Sequence, residues 1–187
     1  WRALWEAYAS VWTPEAFYER QRFNIDQAAV YPAIWLVPSR LANYAFVIHT
    51  SNVSLQKMEQ VVIEVVQGLG EALVGNNPMF AGFPSRLVWN KIQEALVSAS
   101  PSTKQRRSVL AETGGTVVEP TEPDKEFVGL PALLRITKAL VEIAMQTEEF
   151  FGKPQEIEGV LSHSEDGEKW KITLLQTRAI GSKMTDP

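Results

Sequence analysis

Two β-rich runs near the C-terminus constrain the fold most strongly: Glu156-Ile157-Glu158-Gly159-Val160 and Lys171-Ile172-Thr173-Leu174-Leu175-Gln176-Thr177-Arg178. The polar stretch Ser162 to Glu168, with Asp166-Gly167 at its centre, joins them as a turn would, so they read as adjacent antiparallel strands. Side chains alternate along a strand. Glu156, Glu158 and Val160 therefore share one face, and Trp170, Ile172, Leu174, Gln176 and Arg178 share a face of the other strand. An odd-length loop centred on Gly167 sets Glu158 opposite Gln176 and Glu156 opposite Arg178; an even-length loop needs a bulge to restore that face. Two carboxylates, an amide oxygen and a guanidinium would then converge on one patch. Carboxylate and amide oxygens suit Mg²⁺, and arginine suits the phosphates that Mg²⁺ brings, so the patch points to a nucleoside triphosphate. The rival is an exposed hairpin with a cross-strand ion pair, which would be worth little.

Composition narrows the classes. The chain has 187 residues, enough for one core, and its 45% hydrophobic, 10% aromatic and 21% charged residues are an ordinary globular balance. A net charge of −4 argues against a general nucleic-acid binder. With no cysteine, disulfides, thiolate metal sites and cysteine nucleophiles are excluded. No apolar run approaches the roughly 20 residues that span a bilayer, so no membrane partner is expected. No signal or transit segment is visible, and the sequence does not choose between plastid and cytoplasm. The first residue is Trp1, inside a helical pattern, which reads as a processed chain or a fragment.

Trp1, Leu4, Trp5, Tyr8, Val11 and Trp12 form an aromatic stripe at helical spacing, expected to be core rather than a sugar platform. Thr13-Pro14-Glu15 starts a second helix running to about Phe23. Strands are expected at Ala33 to Val37, Ala45 to His49 and Gln60 to Val66, with a short helix from Glu71 to Val74. Residues 98–129 turn polar and read as one long flexible loop with a short strand at Thr116 to Val118. From Pro131 a helix is expected, with Leu133, Ile136, Leu140, Ile143, Ala144, Thr147 and Phe151 on its apolar face and Gly152 and Pro154 as its stop.

Three stretches carry a family resemblance. Tyr44-Ala45-Phe46-Val47-Ile48-His49-Thr50-Ser51-Asn52 is similar to the YAFVIHTTNP segment of alpha-glucan water dikinases. Glu64-Val65-Val66-Gln67-Gly68-Leu69-Gly70-Glu71-Ala72-Leu73-Val74-Gly75 resembles their EVVxGLGExLVG. The Glu156–Val160 and Leu175–Arg178 words resemble the end of the ATP-binding domain throughout the dikinase superfamily, which includes phosphoenolpyruvate synthase and rifampicin phosphotransferase. Trp1 to Arg22 also resembles the Trp-rich helices that precede this region.

The resemblance implies a single α+β domain of ATP-grasp type, with a mixed or antiparallel sheet and packed helices. It implies ATP and Mg²⁺ as cofactors: Glu158 and Gln176 on the metal, Glu156 beside them, Glu71 near the nucleotide, and Arg178 at the phosphates in a catalytic role. An adenine-binding hinge would fall around Ala33 to Arg40. In such enzymes a histidine on a separate domain carries the phosphate to an acceptor, here a glucan; His49 is not that histidine and is expected to be structural or site-lining. Two departures favour a non-catalytic nucleotide-sensing or scaffolding module. Val53 and Leu55-Gln56-Lys57 replace the family's small-residue turn, and Arg107-Ser108 keeps only the start of RSDSNGED. A phosphoenolpyruvate synthase or antibiotic phosphotransferase fragment is the second alternative.

Overall fold

The apolar run Tyr44–His49 forms β1, and a sheet is built outward from it on both sides. β2 (Gln60–Gln67), β3 (Ser85–Asn90) and β4 (Ala95–Ser100) follow on one side; β7 (Gln155–His163) and β8 (Trp170–Ala179) lie on the other. The six-stranded sheet has the order β4-β3-β2-β1-β7-β8, and every neighbouring pair is antiparallel. A separate pair, β5 (Arg106–Leu110) and β6 (Thr116–Pro120), forms a second, antiparallel hairpin. The computed structural model describes residues 1–73, 78–122, 130–163 and 170–180, without the side chains of 130–133.

One face of the sheet is the main core. Phe46 and Ile48 of β1, Val61, Ile63 and Val65 of β2, Leu87 and Trp89 of β3, and Ile157 and Leu161 of β7 pack as one cluster. The 22-residue helix α3 (Leu130–Phe151) covers them with Ile136, Leu140, Val141 and Ala144. Of the stripe read from the sequence, Ile136, Leu140 and Ala144 are buried and Ile143 and Thr147 half-buried, Phe151 is exposed, and the side chain of Leu133 lies outside the described residues. Gly152 takes a left-handed φ of 63° and ends the helix as expected.

The second face carries a smaller cluster toward the Tyr44 end of β1, and Val47 and Val62 on the same face are also buried. Ala45, Val66 and Val160 meet Ala72 and Phe80 there, with Val118 of β6 packed against them. Gly68 and Ser108 form a parallel bridge that docks the β5–β6 hairpin. A Cβ on Gly68 would strike the Ser108 carbonyl oxygen, so only glycine allows this approach.

Several expectations are corrected. Residues 98–129 are not one flexible loop: they contain the end of β4 and the whole β5–β6 hairpin. Their polar sequence hides this because Arg107 pairs with Glu119 and Glu122, and the strands bury little apolar surface. Residues 123–129 lie outside the described residues. The sequence does not mark β3 and β4, because Leu87-Val88-Trp89 is a continuous apolar run whose burial alternates only in the sheet; in the intervening turn Asn90 Oδ1 accepts from the backbone N–H groups of Ile92 and Gln93, at 2.9 Å each. Ala33 to Val37 forms no strand. The short helix at Glu71 is a single 3₁₀ turn, Gly70–Ala72, and Val74 lies outside the described residues. The turn after Asn52 persists without its small residues: Asn52 bridges to Lys57, and Gln56 takes a φ of 55° that glycine adopts more readily.

The chain divides into two compact units, Trp1–Ser39 and Arg40–Pro187, rather than one. In the first, α1 (Arg2–Ala9) is followed by α2 (Pro14–Arg22), where Thr13 Oγ1 accepts from the Ala16 backbone at 3.3 Å and Pro14 occupies the first turn. Arg20 ties the unit together by donating to Val11 O at 2.5 Å and to Gln27 Oε1 at 2.6 Å, with its guanidinium 5.3 Å from the Trp12 ring centre. Within this unit neither helix buries a residue, so the aromatic stripe is not enclosed by the unit's own elements. A pair of short helices has no second layer of its own in which to enclose it.

Candidate functional site

The predicted hairpin register is present, and a bulge produces it. His163 pairs with Trp170 across an even-length stretch, residues 164–169, and the offset holds through Leu161↔Ile172, Val160↔Thr173 and Gly159↔Leu174. The register then shifts between Glu158 and Gly159, leaving Leu175 as the extra residue. Beyond the shift, Glu158 stands opposite Gln176 and Glu156 opposite Arg178. The bulge also corrects one expectation: Trp170, Ile172 and Leu174 do not share a face with Gln176 and Arg178. The first three align with Gly159, Leu161 and His163 on the α3 side, where Trp170 and Ile172 pack against the core.

Two polar rows result on the second face. The outer row runs Arg178–Glu156–His49 across β8, β7 and β1. Arg178 Nε donates to Glu156 Oε1 at 2.7 Å, and its Nη2 lies 2.5 Å from the same oxygen. The other oxygen, Glu156 Oε2, lies 3.0 Å from His49 Nε2. The inner row runs Gln176–Glu158–Val47–Glu64–Arg86 across β8 to β3. Among the described residues, the side chains of Glu158 and Gln176 have no hydrogen-bond or ion-pair partner. Gln176 also borders a groove of ≈ 390 Å³ lined by Phe150, Phe151, Leu174 and Leu175.

Glu156, Glu158, Gln176 and Arg178 are therefore brought together, whereas Glu71 is not. Glu71 follows β2 at the Tyr44 end of β1, while Glu156 stands beside His49 at the other end. Its oxygens accept from Ser108 Oγ at 2.7 Å and Thr116 Oγ1 at 3.4 Å, which fastens the β5–β6 hairpin to the sheet. Ser108 is fully buried, so Glu71→Ala would strand its hydroxyl. The expected loss is about 1–3 kcal/mol in urea unfolding, and less for Glu71→Gln, which keeps an acceptor. Arg107, the other remnant of the acidic segment, is taken up by Glu119 and Glu122.

The donor chemistry fits Mg²⁺ in a limited way. No group of three or more His, Cys, Asp or Glu side chains among the described residues is arranged to hold a metal. Glu158 and Gln176 offer one free carboxylate and one amide oxygen on facing strands. Mg²⁺ is commonly held by one or two protein oxygens, with substrate phosphates and water completing the octahedron.

His49 is the contact that the sequence reading left undefined. Strand alternation puts His49 on one face with Val47 and Ala45, but only the pairing of β1 with β7 sets that face beside Glu156, Glu158 and Val160. Ser51 was not singled out either. It is buried where β1 ends, bonds Glu148 of α3 and Met58 O, and shares Glu148 with Lys91, whose Nζ is 2.9 Å from Glu148 Oε2. This network joins the end of β1 to α3.

The chain is 28% identical to the chloroplastic alpha-glucan water dikinase of Solanum tuberosum over 95% of its own length and 14% of that protein's. It is 29% identical to the same enzyme of Citrus reticulata, over 95% of this chain and 13% of that one. It is 30% identical to a probable phosphoenolpyruvate synthase of Methanocaldococcus jannaschii, over 94% and 14% respectively. The chain thus spans about one seventh of the length of these relatives. Residues 1–186 match the family described as pyruvate phosphate dikinase, AMP/ATP-binding domain, a span that includes both polar rows. With that match along nearly its whole length, the chain belongs to the pyruvate phosphate dikinase AMP/ATP-binding domain family.

Proposed function

We propose that the second face of the β7–β8 hairpin receives the phosphates of an ATP–Mg²⁺ complex, and that the chain is the nucleotide-binding part of a dikinase with an ATP-grasp type of fold. The register of the hairpin carries this reading, because it sets the unpartnered Glu158 against Gln176 and places Arg178 two residues along the same strand. When bound with ATP, Mg²⁺ would supply charge neutralisation at the phosphates. Glu158 and Gln176 would hold it. Arg178, its side chain 64% exposed, keeps N–H groups for a phosphate oxygen even while it pairs with Glu156. Glu71 acts at one remove in this reading, by holding the β5–β6 hairpin.

For the whole protein, the relatives named alpha-glucan water dikinase favour a glucan as phosphate acceptor. The phosphate would travel on a histidine of another domain, in the same parent chain or in trans. The sequence departures at Val53 and after Ser108 keep a nucleotide-sensing module as the second reading.

Calorimetry of Mg²⁺-ATP binding tests the site. Glu158→Ala/Gln176→Ala should weaken binding by about 1.5–3 kcal/mol, the scale of lost charge-assisted contacts, while circular dichroism shows a folded chain. Unchanged affinity in the folded double variant would remove both residues from the site. AMP and phosphate release by this chain alone, measured beside Glu158→Ala, should be weak or undetectable, because phosphoryl transfer depends on positioning that the rest of the parent protein supplies; robust release that depends on Glu158 would show the chain to be a self-sufficient catalyst.

A further inference from the structure

Glu156 divides its two oxygens between two partners, Oε1 for Arg178 and Oε2 for His49. The partners differ in how firmly they are held. Arg178 lies on the edge strand with a side chain 64% exposed, and an exposed arginine has several rotors to immobilise before it can aim at anything. His49 lies on β1, paired to β2 on one side and β7 on the other, with a short side chain 35% exposed. Glu156 stands between them, only 16% exposed. An imidazole that donates from Nε2 to Oε2 fixes the carboxylate plane and leaves Oε1 turned toward β8.

We propose that His49 is a positioning residue: it fixes Glu156, and through Glu156 it aims the Arg178 guanidinium along the second face of the hairpin. What Arg178 meets there rests on the phosphate reading above; the positioning itself needs no nucleotide.

The Arg178 Nε–H resonance of ¹⁵N-labelled protein, assigned through its loss in Arg178→Lys, reads the positioning directly. In the wild-type chain it should be resolved and slow to exchange with water. In His49→Ala it should move toward the position of a solvated arginine and exchange rapidly. His49→Gln, whose amide donates to the same oxygen, should restore it, and the backbone amide spectrum reports whether each variant is folded. In parallel, His49→Ala should weaken Mg²⁺-ATP binding by about tenfold, as loss of one hydrogen bond to a charged group implies. It should have no further effect in an Arg178→Ala background. An Arg178 resonance unchanged in folded His49→Ala overturns the proposal, as do losses that simply add in the double variant. A wild-type chain that binds no ATP overturns the phosphate reading instead, and the resonance then decides the positioning by itself.

Discussion

Leu140→Ala is expected to destabilise the second unit by about 2–5 kcal/mol, the usual range for truncating a buried leucine. Leu140 lies midway along α3, is fully buried, and belongs to the cluster containing Phe46, Ile48 and Leu161. Strands on both sides of the contact are held in antiparallel ladders, so the walls cannot collapse freely into the space left. Urea denaturation measures the effect. Lys138→Ala, an exposed position on the same helix, should change stability by no more than about 0.5 kcal/mol. α3 packs on the face of the sheet opposite the Glu158 row, so Mg²⁺-ATP affinity per folded molecule should be retained. Equal effects of the two substitutions would show that α3 does not seal the core.

Gly159→Val is expected to cost about 3 kcal/mol or more, at or beyond the upper end of the usual range for overpacking. Gly159 faces Phe46 across β1 and β7. A Cβ there would collide with Phe46 Cζ and lie 2.7 Å from Thr173 O and 2.9 Å from Phe46 Cε1. The Phe46 ring is buried among the core side chains and cannot swing aside, and the carbonyl belongs to the partner strand. The bulge begins at this residue, so the clash also bears on the shift that brings Gln176 opposite Glu158. Gly159→Val should therefore lower both the unfolding midpoint and Mg²⁺-ATP affinity. Phe46→Leu should recover part of the stability when combined with it, because removing the ring relieves most of the overlap. A wild-type midpoint for Gly159→Val would refute the packing argument.

Close spacing is what made the hairpin legible. Alternation and proximity in sequence limit which side chains of β7 and β8 can meet, so Glu156 and Arg178 are candidates for one patch from the sequence alone. The same holds for α3, whose 3.6-residue period selects Ile136, Leu140 and Ala144, and for α2, whose Thr13-Pro14 start is a local hydrogen-bonding device. These features depend on interactions within a few turns or across one short connection. They survive as readable patterns because each residue's neighbours are set by the backbone period alone.

The remaining features depended on distant partners. Nothing local to Leu175 marks it as the extra residue of a bulge, and the close approach of Gly159 to Phe46 beside that shift joins positions more than a hundred residues apart. Glu71 reads as a nucleotide contact until Ser108 and Thr116 fold back onto it, and the β5–β6 hairpin reads as loop because ion pairs rather than apolar alternation hold it. His49 becomes a partner of Glu156 only when β7 inserts beside β1. The sequence alone thus determined the helical period of α3, the start of α2 and the adjacency of β7 and β8, while the register of that hairpin still required the bulge. Tertiary structure decided which carboxylates are occupied and which are free, because that depends on strand neighbours whose contacts exist only once the long-range ladders have formed.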